Sequence, residues 1–120
     1  MDIRSLFKKT KEAKKFKAGK TICQEGTPGD VMYVVLDGEL EVSAGGKLIE
    51  VARPGDVVGE MALIDTKNRS ATVVAKTDCR LVPLNEKRFL VLVHEMPIFA
   101  LLVMRTMADR LRRMIAARSA

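Results

Sequence analysis

The sequence predicts a mainly β domain, an antiparallel sandwich or barrel with helices at its ends. Three observations carry this. Short runs rich in β-branched residues arrive at near-regular spacing, with hairpin chemistry between them. One irregular segment, residues 59–72, breaks that rhythm. After Asn85 the apolar pattern changes to a helical one. The chain has 120 residues, 48% hydrophobic and 30% charged, which is the size and balance of one soluble globular domain.

Residues 3–15 predict a short basic amphipathic helix with Ile3, Leu6 and Phe7 on its apolar side. The organisation read from the sequence is therefore an N-terminal helix within 1–15, a β region over 16–84 and helices over 85–118. Residues 20–24 read as a short strand, and the Gly- and Pro-dense 25–30 as a turn. Residues 31–36 form an unbroken apolar run suited to a buried strand. Asp37-Gly38 and Gly45-Gly46 are hairpin turns that flank a strand in which Leu40 and Val42 alternate with Glu39 and Glu41. Residues 47–52 pair back. Pro54 suits the second position of the turn at 53–56. Two further strands lie on either side of Asp78. Asn85 is a good N-cap with Glu86 in the first turn, and Pro97 starts a second helix that runs to about Arg118. On that helix Leu101, Met104, Ala108, Leu111 and Ile115 form a heptad-like seam, with Val103, Met107 and Met114 beside it. Such a surface packs on the β region, lids a ligand or meets a second copy.

Composition narrows the function. Tryptophan is absent and aromatics are 4%, which removes the stacking platforms that single-stranded nucleic-acid binders use. The net charge of +6 comes from lysines crowded between Lys8 and Lys20 and arginines between Arg105 and Arg118. These are solvated faces or an attraction to an anionic partner. Cys23 and Cys79 fall in different strands and read as free thiols of a reducing cytoplasm. No His or Cys spacing suits a metal, and no secretory signal is visible. The apolar run 89–104 is interrupted by His94, Glu95 and Pro97 and is too short for a membrane span. His94 has no nucleophile beside it, Ser70 has no nearby base, and no Walker loop is present. An enzyme is not expected.

The irregular segment holds the chemistry. It sets a carboxylate, Glu60, and a guanidinium, Arg69, at its two ends, with the small residues Gly59, Ala62, Ser70 and Ala71 around them. A carboxylate accepts hydrogen bonds from sugar hydroxyls, and a guanidinium grips a phosphate with parallel N–H groups. The pair reads as a pocket for a ribose joined to a phosphate.

Residues 16–42 and 54–73, in that order and within this β context, resemble the cyclic-nucleotide-binding domain family. The resemblance covers the chain from Phe16 to about Arg113. It implies a jelly-roll β-barrel with a phosphate-binding cassette at 59–72 and two C-terminal helices, all in one domain. It implies that Glu60 accepts from the ribose 2′-hydroxyl and that Arg69 holds the cyclic phosphate. Gly59, Met61, Ala62 and Ala71 would line the sugar-phosphate and Ser70 would add a hydroxyl. Asn68 stands where many members have proline. A side chain of the last helix would cap the base, with Met107, Arg110, Leu111 and Met114 as candidates. The ligand would be cAMP, with cGMP second, and no other cofactor or metal is implied. The expected role is a cytoplasmic sensor whose C-terminal helices move on binding. A homodimer through the last helix, or an effector protein, would receive the signal. After that helix the sequence leaves no room for a DNA-binding domain. The alternative is a roll that binds no nucleotide and serves as an interaction or dimerisation module.

Overall fold

A computed structural model of the chain describes residues 2–64 and 68–119. Among the described residues, eight strands form two four-stranded antiparallel sheets. The strands are β1 (Lys14–Phe16), β2 (Thr21–Cys23), β3 (Val31–Asp37), β4 (Leu40–Ala44), β5 (Lys47–Ala52), β6 (Val57–Val58), β7 (Thr72–Ala75) and β8 (Cys79–Asn85). One sheet runs β1-β8-β3-β6, the other β2-β7-β4-β5. The helices are α1 (Met61–Ile64), α2 (Glu86–Glu95) and α3 (Ile98–Ser119). The mainly β architecture with flanking helices follows the prediction.

The unbroken apolar run of β3 has a physical cause. Successive side chains of a strand point to opposite faces. Met32, Val34 and Leu36 join a core that includes Ile3, Phe7, Phe99 and Leu102, on the helix side of the first sheet. Val35 points the other way, into a core between the sheets with Leu40, Ala52 and Val73. β8 divides in the same manner: Val82 and Leu84 face the helices, Cys79 and Leu81 the inner core. A strand covered on both faces needs apolar residues at every position.

Two departures from the sequence reading stand out, one at the start of the β region and one in its middle. The N-terminal helix is a five-residue 3-10 helix, Ile3–Phe7, capped by Asp2, whose side chain accepts from the Arg4 N–H. Residues 14–16 are a strand instead, paired Lys14↔Leu81 and Phe16↔Cys79. A helix continued to residue 15 would stack Lys8, Lys11 and Lys15 at spacings of three and four, where like charges repel. The free edge of β8 offers backbone partners without that cost. The second departure is β6, which the sequence reading passed over. Its two residues pair with β3, Tyr33↔Val58 and Val34↔Val57, and lead directly into the irregular segment.

The helices follow their local signals. The Asn85 side chain accepts from the Arg88 N–H at 2.8 Å. α2 and α3 bend by 116° at the break that contains Pro97, and no single helix among the described residues is long and apolar enough to cross a membrane. Phe99 is fully buried at this corner, edge-on to Phe7 and Phe89. Of the heptad-like seam, Leu101, Met104, Leu111 and Ile115 are exposed, because the face that packs on the roll is the one carrying Phe99, Leu102, Val103 and Met107.

Candidate functional site

A cavity of about 280 Å³ lies between the second sheet, the irregular segment and α3. Gly59, Glu60, Met61, Ala62, Arg69, Ser70 and Ala71 all line it. Residues 65–67 of that segment lie outside the described residues. Of the four candidate caps on α3, Arg110 and Met114 reach the cavity. Met107 packs against the helix-side core, and Leu111 is exposed. One turn of helix separates Arg110 from Met114, so both present the same face.

Backbone bonds hold Arg69 from both sides. Its N–H donates to the Thr27 carbonyl at 2.8 Å, and its own carbonyl accepts from the Gly26 N–H at 2.9 Å. Thr72 adds a third tie, accepting through Oγ1 from the Glu25 N–H at 3.0 Å. The guanidinium then lies over two glycines. Its Nη1 donates to the Gly59 carbonyl at 3.2 Å. A Cβ built on Gly29 would overlap Nε and Cζ of Arg69, and one built on Gly59 would stand 2.6 Å from Nη1. Gly59 also has φ +75°, a conformation that costs side-chain-bearing residues energy. Gly29 has no such backbone demand, so its role is room alone.

Glu60 is the only charged residue in the buried class among the described residues, at 7% exposed. Such a carboxylate needs donors. It finds one on α3: Arg110 Nη1 donates to Glu60 Oε1 at 2.6 Å, while Nη2 donates to the Val57 carbonyl at 2.6 Å. Arg110 Nε also lies 2.8 Å from Glu50 Oε2. That contact is an ion pair without a hydrogen bond, and Glu50 Oε1, likewise buried, has no hydrogen-bond donor among the described residues. Arg113 Nη2 stands 3.7 Å from the same oxygen, beyond hydrogen-bond range. The N–H of Ala62 is engaged with the Gly59 carbonyl at 3.2 Å, closing the first turn of α1.

The cavity thus holds two carboxylates and two guanidiniums. Arg110 touches both acids. Arg69 has no ion pair among the described residues, so its charge is the one open to an anion. Cys23 closes the floor, its thiol pushed up from the usual range by burial, while nearby Arg69 pulls the other way.

Sequence reasoning did not single out Glu50. Strict alternation along β5 would send Ile49 and Glu50 to opposite faces. The ladder with β4 instead goes from Val42↔Glu50 to Ser43↔Leu48, which leaves Ile49 as an extra residue. That bulge lets both Ile49 and Glu50 line the cavity. No residue type in this stretch announces it.

The sequence and the fold match known proteins. The chain belongs to the cyclic nucleotide-binding domain family, whose sequence profile matches residues 13–96. It is 43% identical over 81 residues to the cAMP-dependent protein kinase regulatory subunit of Aspergillus fumigatus, covering 65% of this chain and 19% of that protein. It is 44% identical over 73 residues to the cGMP-dependent protein kinase egl-4 of Caenorhabditis elegans, covering 61% and 9%. Among solved structures, the catabolite activator protein of Thermus thermophilus superposes with a TM-score of 0.75 at 28% identity, over 89% of this chain and 53% of that one. The cAMP-bound PfPKA-R structure superposes at 0.70 with 31% identity, over 83% and 34%. The chain spans less than two thirds of each of these relatives.

Proposed function

We propose that this domain is the sensing part of a signalling protein, and that it takes a purine cyclic mononucleotide into the cavity between the irregular segment and α3. One observation carries the reading: Glu60 and Arg69 line the same cavity, and Arg69 alone of its charges lacks a counter-charge among the described residues. A cyclic mononucleotide is a diester with one negative charge. The Arg69 guanidinium neutralises it, Glu60 accepts from the ribose 2′-hydroxyl, and Ser70 and the Ala71 backbone border the phosphate. Met114 and Arg110 cover the base from α3. Relatives named for cAMP and for cGMP support either nucleotide, and cAMP is the first choice.

The output is a change in the hold on α3. Glu60 serves both the ribose and Arg110, so nucleotide in the cavity alters the contact that fixes the far end of the helix. A ligand shifts an equilibrium only through a difference in affinity for its two states. The shared carboxylate supplies that difference. The exposed Leu101, Met104 and Leu111 leave α3 free to receive a second copy or an effector, and the two buried free thiols suit a reducing cytoplasm.

Titration calorimetry with cAMP, cGMP and linear AMP tests the reading. The cyclic nucleotides bind and Arg69→Ala weakens them roughly tenfold to several hundredfold, as expected for a lost charge-assisted contact. Absence of heat from both cyclic nucleotides would overturn it.

A further inference from the structure

We infer that Glu50 is the base-reading residue of this cavity, the acceptor for the exocyclic amino group of a purine. The inference rests on the reading of the cavity as a cyclic-nucleotide site and adds what distinguishes one base from another.

The argument begins with an unmet acceptor. Glu50 Oε1 is buried in the cavity wall and receives no hydrogen bond among the described residues. A buried carboxylate oxygen without a donor is costly, and a guest that brings an N–H relieves the cost. The rest of the carboxylate is already fixed. Arg110 approaches Oε2 at 2.8 Å and Arg113 stands 3.7 Å from Oε1, so the side chain is aimed rather than free to turn away.

The surroundings select the kind of guest. The wall near Glu50 is Val42, Ile49 and Met114, which is apolar and suits the faces of a flat ring. Ser70 and Arg69 belong to the irregular segment, with the sugar-phosphate groups. Arg110 reaches Glu60 with one nitrogen and Glu50 with another, which sets the two acids one guanidinium apart. A base attached to a ribose held at Glu60 therefore has Glu50 within reach. A carboxylate only accepts, so it favours a purine edge that carries an amino group and opposes one that carries a carbonyl. Adenine offers that group at N6 and guanine at N2.

Paired ligands that differ by this group test the assignment on the whole chain. cAMP is compared with the cyclic monophosphate of purine riboside, which lacks only the 6-amino group. cGMP is compared with cIMP, which lacks only the 2-amino group. In the wild type, deleting the amino group weakens one pair by about tenfold or more, and which pair responds identifies the base. In Glu50→Leu that ratio falls close to one. A role for Glu50 confined to propping Arg110 would shift all four ligands together and leave both ratios intact. Unchanged ratios in Glu50→Leu, or no amino-group effect in wild type for either pair, overturn the assignment while the Arg69-dependent binding stands. The wild-type ratios need no variant to fold, and Glu50→Gln, which keeps an acceptor oxygen, retains part of the discrimination. If no cyclic nucleotide binds, the receptor reading falls and this inference with it.

Discussion

The two halves of α3 are held by different forces. From Phe99 to Val103 the helix is fixed by apolar burial, with Phe99, Leu102 and Val103 sealed in the helix-side core. From Arg110 onward it is fixed by polar contacts to Glu60, Glu50 and the Val57 carbonyl, and residues 111–118 are otherwise exposed. Apolar burial is non-directional, and nothing small and soluble competes for it. The polar contacts are made to the very groups that a sugar and a base would use. One half is an anchor and the other is exchangeable, so the nucleotide would release or tighten the far half without unfolding the near one.

Substitutions that strike one half only would break or sharpen this contrast. The largest effect is expected from Phe99→Ala. It removes a fully buried ring that contacts Phe7 and Phe89, and it lowers global stability by about 3–5 kcal/mol in urea unfolding. A loss below about 1 kcal/mol would mean that the near half is no anchor. Gly29→Ala comes next. The new methyl group collides with the guanidinium, so nucleotide affinity falls about tenfold with the overpacking strain. The double variant with Arg69→Ala binds no worse than Arg69→Ala alone, since both changes act on one group; additive losses would separate the two.

Arg110→Ala acts on the other half. Amide exchange speeds up across residues 111–118, and the unfolding free energy measured in urea falls by about 1–3 kcal/mol, the worth of the ion pair plus the cost of leaving buried Glu60 without its donor. Equal acceleration across residues 99–103 would erase the contrast. The smallest effect is alkaline. Burial raises the thiols of Cys23 and Cys79 and the hydroxyl of Tyr33, so the folded state favours their protonated forms. That contribution is whole below the ordinary thiol and phenol values. It drains as pH rises through the higher folded ones, so the melting temperature drops between neutral pH and about pH 10.5. A flat profile there would show that the inner core opens before its thiols ionise.

Contiguity decided what was legible in the sequence. Glu60 and Arg69 lie nine positions apart in one segment, so their types and spacing could be read directly. Asn85 and Asp37-Gly38 act through local bonds and marked their elements for the same reason. Glu50 comes from another strand, and its pairing with Val42 of β4 sets the face it meets. Arg110, Met107, Leu111 and Met114 share one helix at similar spacing, and only the docking of Phe99, Leu102 and Val103 chooses which of them meets the cavity. Residues 8–15 look helical in isolation, yet the exposed edge of β8 recruits Lys14–Phe16 as a strand. Each of these outcomes was set by a distant partner.

The alternating loyalty of β3 has a consequence for how this domain can vary. Met32, Val34 and Leu36 serve one core while Val35 serves the other, so adding or deleting one residue within Val31–Asp37 would exchange the inhabitants of both at once. Length changes are therefore confined to the connecting turns, and the strand that links the helix anchor to the chamber wall must evolve by replacement alone.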